Sequence, residues 1–310
     1  MSLRCADSVS LCKRRASLAA GVIALIAAPV AAQCGPVPET TALQHQEPPY
    51  SYDGNQFGAS CAIDGTTAVI GAIEGADESQ PFGLDGAAYV FTRTANVWTQ
   101  SQRLEASNGA VNDGFGASVA LTGTRIAVGA PARNLGPAQR AGAVYIFEQS
   151  GSWAQVAYLT PDAADAVAAA EFGRSVALVG DLLVVGVPGA PAGALAGGGA
   201  VYVYQRSSGG VWNFARRLVS PAPQFNARFG RAIALSGTTL LAGTEQHDPT
   251  IEGLPVIDAG AAFVFDLSDP NPANWTSLHR DARRLRSEGE RSLRRGGRHQ
   301  RRDRRRRRAR

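Results

Sequence analysis

Phe115-Gly116-Ala117-Ser118-Val119-Ala120-Leu121, then Val128-Gly129-Ala130-Pro131, then Gly142-Ala143-Val144-Tyr145-Ile146-Phe147 is a passage that this chain writes four times. The opening Phe-Gly recurs at Phe57-Gly58, Phe172-Gly173 and Phe229-Gly230, which sets the copies 58, 57 and 57 residues apart. Two more glycines follow each Phe at fixed distances: Gly65 and Gly71, Gly123 and Gly129, Gly180 and Gly186, Gly237 and Gly243. Each copy also places one tryptophan, at Trp98, Trp153, Trp212 and Trp275, and these are all the tryptophans in the chain. Self-similarity at a fixed period of this length means one supersecondary unit stacked on itself, and it outweighs any single local motif.

Each copy reads as four short strands. The first alternates and ends in a turn such as Thr122-Gly123. The second is the most apolar, as in 126–131 and 182–188, and stops at a proline that cannot donate to a ladder. The third is a Gly-Ala-aromatic strand (86–91, 142–147, 199–204, 260–265) of the β-branched and aromatic types that fit a pleated surface. The fourth carries the Trp and ends at a Leu, as in 98–104, 153–159 and 212–218. Short strands with turn signals between them indicate an all-β chain. A four-stranded meander has two faces and cannot bury both alone. Radial stacking buries them between neighbours, which is the β-propeller solution; a solenoid or a row of small sandwiches is the competing arrangement. A buried Trp removes roughly 150–250 Å² from water, about 4–6 kcal/mol at most, so one Trp at the same place in each copy marks a repeated inter-blade core.

Phe-Gly followed fourteen residues later by Val128-Gly129-Ala130-Pro131 resembles the FG-GAP repeat. The other copies read Ile70-Gly71-Ala72-Ile73, Val185-Gly186-Val187-Pro188 and Ala242-Gly243-Thr244-Glu245. The resemblance spans residues 57–278 and implies a β-propeller like that of the integrin α-chain and of many bacterial surface and secreted proteins. Two departures limit what it implies. Many blades of the family hold calcium in an Asp/Asn-rich loop, and calcium needs several converging oxygens. Here that interval holds only the turns at Asp64-Gly65, Thr122-Gly123, Gly180-Asp181 and Ser236-Gly237, so the family's calcium site is not carried over. Integrin-like propellers also have seven blades, and only four copies are present. An incomplete ring is therefore expected, with an apolar blade face left open and self-association as its consequence.

The chain divides into a signal segment (1–32), an N-terminal segment (33–56), four copies (57–114, 115–171, 172–228, 229–279) and an Arg-rich tail (280–310). Arg4, Lys13, Arg14 and Arg15 precede an apolar run too short to span a bilayer and a small-residue site ending at Ala32. That is the form of an export signal, and it implies a secreted, periplasmic or cell-surface protein. Residues 280–310 carry 16 Arg and four acids, whereas 33–279 carry 11 Arg and 21 Asp/Glu, a net charge of −10. The folded body is thus acidic and is not expected to bind nucleic acid. The tail has almost no apolar residues and no core. It reads either as a basic arm for polyanions or as out-of-frame translation of a GC-rich gene. Cys34 and Cys61 remain after removal of the signal. Cys61 aligns with Val119, Val176 and Ile233, so it reads as a buried free thiol at a core-facing position, with a Cys34–Cys61 disulfide as the alternative.

No catalytic constellation, phosphate-binding loop or metal-spaced His/Cys set is present in the sequence, so neither an enzyme nor a cofactor is expected. Asp162 and Asp165 read as solvated loop carboxylates. The loop between second and third strands varies while the strands do not, and loops on a rigid scaffold are where binding resides. In the first and fourth copies this loop is acidic, and Asp77, Glu78, Asp85, Glu245, Asp248 and Asp258 are its cation candidates. The function expected is binding or adhesion to a protein or glycan. A propeller-based hydrolase or lyase, or a structural segment of a larger surface protein, are the alternatives.

Overall fold

The computed structural model describes residues 56–74, 86–251 and 254–278. They fall within one unit of the chain, Leu43–Arg310. The signal segment, Cys34, the loop bearing Asp77, Glu78 and Asp85, and the Arg-rich tail lie outside the described residues.

The described residues are all-β, with a single 3₁₀ turn at Pro272–Asn274 as their only helical turn. Four antiparallel sheets of four strands follow one another. The first is β1 (Phe57–Asp64), β2 (Thr67–Ala72), β3 (Ala87–Thr94) and β4 (Val97–Leu104). The second is β5 (Ser118–Thr122), β6 (Arg125–Ala130), β7 (Ala143–Ser150) and β8 (Ser152–Leu159). The third is β9 (Ser175–Val179), β10 (Leu182–Val187), β11 (Ala200–Arg206) and β12 (Trp212–Leu218). The fourth is β13 (Ile233–Ser236), β14 (Thr239–Thr244), β17 (Ala261–Asp266) and β18 (Thr276–Ser277), with a small hairpin, β15 (Thr250–Ile251) and β16 (Leu254–Pro255), inserted in its loop. Each sheet is a simple meander, and the innermost strands β1, β5, β9 and β13 neighbour one another in turn. These are propeller blades in an open arrangement. The third and fourth strands of the first three blades carry a bulge at one repeated place, between Val90/Phe91, Ile146/Phe147 and Val203/Tyr204. Such a bulge sharpens the twist of the outer strand.

The three junctions between blades share one construction, and it explains the motif. The second-strand glycine of one blade receives the carbonyl of the Phe-Gly glycine of the next: Gly71 faces Gly116 O, Gly129 faces Gly173 O and Gly186 faces Gly230 O. A Cβ on any of the three would lie well inside contact distance of that oxygen. In the first three blades a serine two residues after the Phe-Gly glycine completes the lock. Ser60 Oγ donates to Gly116 O at 2.7 Å, Ser118 Oγ to Gly173 O at 2.7 Å and Ser175 Oγ to Gly230 O at 2.8 Å. Around this polar seam lies the apolar core. Val69, Ala88 and Val90 of the first blade pack against Phe115, Val119, Leu121 and Trp153 of the second. Ala127, Val144 and Ile146 pack against Phe172, Leu178 and Trp212, and Val184, Val201 and Val203 against Phe229, Leu240 and Trp275. Each fully buried Val, Leu, Ile or Phe among them contributes about 1.5–3 kcal/mol.

Tryptophans 153, 212 and 275 are buried at these junctions, but Trp98 is only half-buried and lies under Arg93, whose guanidinium carbon is 5.9 Å from the ring centre. Cys61 departs from expectation for the same reason. It is an exposed free thiol, not a buried one. The preceding blade covers its counterparts Val119, Val176 and Ile233 wholly or in part, and none of the described blades precedes the first. Ile63, on the same face, is 66% exposed where Leu121 and Leu178 are buried.

Candidate functional site

The loops that join second to third strands gather at one end of the blades. In the second and third copies each folds into a tight turn held by a reciprocal pair of backbone hydrogen bonds, Leu135 with Ala138 and Ala192 with Leu195. The chain entering the next blade then adds to this loop as a short parallel ladder. Ala169, Glu171 and Phe172 donate their N–H groups to Gln139, Arg140 and Ala141 at 2.8, 3.0 and 2.9 Å. Asn226, Arg228 and Phe229 do the same to Ala196, Gly197 and Gly198 at 3.0, 3.0 and 3.1 Å. The ladder holds Ala169, Glu171, Asn226 and Arg228 at φ of 59°, 58°, 54° and 58°. Left-handed backbone costs an L-residue about 1–2 kcal/mol, so the two entry segments are over-determined by their bonding.

Between them opens a cleft of about 520 Å³. Its apolar wall includes Ala168, Ala169, Pro188 and Pro191, and Glu171 and Arg228 supply its charge. These two belong to a chain of charges that crosses from the second blade to the fourth. Arg140 Nη2 lies 2.7 Å from Glu171 Oε1, and Arg231 Nη1 lies 3.6 Å from Glu171 Oε2. Arg231 Nε and Arg228 Nη1 in turn lie 3.6 and 3.7 Å from the two oxygens of Glu245. Half-buried Arg174 lies beside this group, and no carboxylate among the described residues comes within ion-pair distance of it. Burial pulls the Arg174 guanidinium below its ordinary value, and the charge of Arg231 adds to the effect.

The acidic candidates of the fourth loop are occupied with other work. Glu245 is the anion just described. Asp248 Oδ1 accepts from the Asp258 N–H at 2.6 Å, and the Asp248 backbone exchanges two hydrogen bonds with the Gln224 side chain at 2.7 and 3.0 Å. The described residues contain no group of three or more His, Cys, Asp or Glu able to hold a metal ion. The turn carboxylates act between blades instead: Asp64 Oδ2 accepts from Gly123 N–H at 2.7 Å, and Asp181 lies 3.2 Å from Arg125. Chelation of calcium is therefore expected to leave the melting temperature unchanged. A fall of several degrees with chelator would point to a site in the loop bearing Asp77, Glu78 and Asp85.

Asp165 corrects the reading of a solvated loop carboxylate. It is 2% exposed and accepts from Tyr202 Oη at 2.8 Å and from Arg217 Nε and Nη2 at 2.5 and 3.0 Å. Burial pushes the Tyr202 hydroxyl well above its ordinary range, and its hydrogen bond to Asp165 pushes it further. Burial works against the Arg217 charge, but the Asp165 hydrogen bond and charge outweigh it, so Arg217 is held protonated more firmly than usual. The corresponding pair one repeat earlier is Tyr145 with Asn108, 2.8 Å apart, and one repeat later Phe263 stands where no hydroxyl needs a partner and Ala222 where no acceptor is supplied. This is a structural latch with apolar and neutral versions in neighbouring blades.

His247, in the fourth loop, is buried edge-on to Phe263 at 5.9 Å, and its Nδ1 has no hydrogen-bond partner. Burial lowers its pKa, against an opposing pull from Asp248. The folded protein thus keeps the neutral ring while the unfolded chain takes up a proton below about pH 6.5. The contribution to stability is present above that value and is lost as pH falls through the lowered folded value. Wild type is expected to lose more thermal stability than His247→Leu between neutral and mildly acidic pH. Equal losses would mean that His247 titrates freely in the fold.

The FG-GAP repeat family matches this chain over residues 51–91, 98–147 and 153–204. The second and third matched stretches each run from the Trp-bearing strand of one blade through the third strand of the next, across the junctions built on Gly71 and Gly129. No curated protein matches the sequence. Two crystal structures of Sqt1 from Chaetomium thermophilum are similar at 13% identity and a TM-score of 0.43, over 70% of this chain and 46% of that one. This chain therefore spans less than half the length of Sqt1. The Phe-Gly carbonyls, the second-strand glycines that receive them and the matched stretches agree, and the chain carries FG-GAP repeats.

Proposed function

We propose that this protein is an exported, non-enzymatic propeller module that binds a protein or a glycan in adhesion. The observation that carries the reading is the cleft on the loop end, set on blades whose strands hardly vary while their loops do. Rigid scaffolds with variable loops are where recognition resides. The basic, apolar and small-residue order of residues 1–32 supports export, as does the occurrence of such blades in integrin α-chains and bacterial surface proteins. No helix among the described residues is long and apolar enough to cross a membrane. The test is binding of the mature protein to glycan and cell-surface arrays, run alongside turnover assays on the same ligands. Saturable binding without turnover is expected. Turnover of a polysaccharide or ester, lost on unfolding, would replace this reading with an enzyme.

Self-association through the fourth blade belongs to the same reading. Leu241, Ala262 and Val264 occupy the positions that in the first three blades are fully buried by the next blade, yet Leu241 is 44% exposed and Ala262 is exposed too. Gly243 meets only its own neighbour Ala232, at 3.6 Å, and Ala232 replaces the locking serine. A second copy of this chain is the occupant. Sedimentation over a wide concentration range is expected to show association in wild type and monomer in Leu241→Arg. A wild-type monomer throughout would remove the proposal.

A further inference from the structure

We infer that the arginine cluster at the mouth of the cleft is an anion site, and that it takes an acidic glycan, one bearing carboxylate or sulfate groups along its chain. The inference rests on the binding reading above and names the chemistry of its ligand. Arg140, Arg174, Arg228 and Arg231 face only Glu171 and Glu245, so the cluster carries two positive charges more than it neutralises. It does so in a body whose residues 33–279 carry a net −10, which makes the mouth a local reversal of sign. Fields focused in clefts of opposite sign to their surroundings concentrate and orient charged ligands.

The scaffold does not require these arginines. The residue after the Phe-Gly glycine is Ala59 in the first copy and Ala117 in the second, and both copies form the same blade. It is Arg174 and Arg231 only where the chain has just passed through the segments 167–171 and 226–228 that line the cleft. Three of the four ion pairs in the cluster are 3.6 to 3.7 Å long and partly exposed, and such pairs are worth at most about 1 kcal/mol, so an incoming anion competes easily. Arg174 has no carboxylate to give up. A planar guanidinium with free donors matches a carboxylate or sulfate in two-point geometry.

The spread of the cluster favours a glycan over a peptide side chain. Its arginines come from the second-blade loop, the entry to the third blade and both sides of the fourth-blade entry, so they suit an acid repeated along a chain. The Pro188, Pro191, Ala168 and Ala169 wall offers an apolar surface to the sugar rings between.

The test is calorimetric titration of the mature protein with a tetramer of galacturonate, with the same tetramer reduced to neutral galactose, and with a polyglutamate peptide of equal charge. Binding of the acidic tetramer is expected, at least about tenfold weaker in Arg174→Gln and falling with salt as an ion-paired complex does. Arg93→Gln, an exposed arginine of the first blade, should bind as wild type does. Arg174→Gln should fold normally because the second copy has alanine there, and an unchanged melting temperature checks this. Equal affinity for the neutral tetramer, or no effect of Arg174→Gln, would overturn the anion site while leaving the binding module intact. Tighter binding of polyglutamate would make the ligand an acidic protein. Absence of binding to these probes together with silence on the arrays would remove both readings.

Discussion

Gly129→Ala is expected to destabilise the protein by about 3 kcal/mol, whereas Gly243→Ala, the same substitution at the same motif position, should change stability by less than about 1 kcal/mol. At Gly129 the new methyl group would run into Gly173 O and Ser118 Oγ, and the first of these is backbone held by the neighbouring blade. Neither can retreat without breaking the Ser118–Gly173 hydrogen bond and separating Ala127, Val144 and Ile146 from Phe172 and Leu178. At Gly243 the nearest atoms are Ala232 O at 3.6 Å and Ala232 Cβ at 3.8 Å, an ordinary van der Waals contact. Urea unfolding of the two variants, at protein concentrations low enough to keep them monomeric, measures the contrast. Equal effects would mean that the glycine serves its own strand and not the junction.

Asp165→Ala is expected to cost about 3 kcal/mol, because it strands the Arg217 guanidinium and the Tyr202 hydroxyl in a site where little water can replace the lost acceptor. The triple variant Asp165→Ala, Tyr202→Phe, Arg217→Leu should recover most of that loss and lie within about 1 kcal/mol of wild type. The chain already contains the precedent, since Phe263 and Ala222 stand at the equivalent Tyr and Asp positions one repeat later. Thermal melts of the single and triple variants, compared with wild type, decide the matter. If the triple variant is as unstable as the single one, the network is not a self-contained latch.

The blades were legible because their marks recur in register. The Phe-Gly, the two glycines and the aromatic third strand each fall within a residue or two of a strand or turn boundary in every copy. Why the second-strand glycine recurs was not legible. Its partner is a backbone carbonyl in the next copy, and a carbonyl leaves no trace in side-chain identity. Cys61 and Trp98 misled because repeat logic assigns each position the environment of its counterparts, and none of the described blades precedes the first to bury them as their counterparts are buried. Asp165 looked like a loop acid because its partners lie 37 and 52 residues downstream, with nothing in the spacing to link them. The arginine cluster was hidden in the same way. Its members are scattered from Arg140 to Arg231 in a body read as acidic, and only the stacking of three blades brings them together. Comparison of Ala59, Ala117, Arg174 and Arg231 down one repeat column was the signal that could have found it.

The described blades form one open stack, in which no described blade covers the face of the first as each covers the face of the next. Thiol labelling of the native protein, dilute enough to be monomeric and with the other cysteines changed to serine, distinguishes the uncovered face from the covered ones. Cys61 is to be compared with a Cys61→Val, Val119→Cys variant, which moves the thiol to the same place in the second blade. Cys61 is expected to react at close to the rate of an unfolded chain, and the thiol at position 119 at least roughly 100-fold more slowly, because it is reached only through opening of the junction. Equal protection of the two thiols would contradict the open stack, since that requires another blade to close over the first.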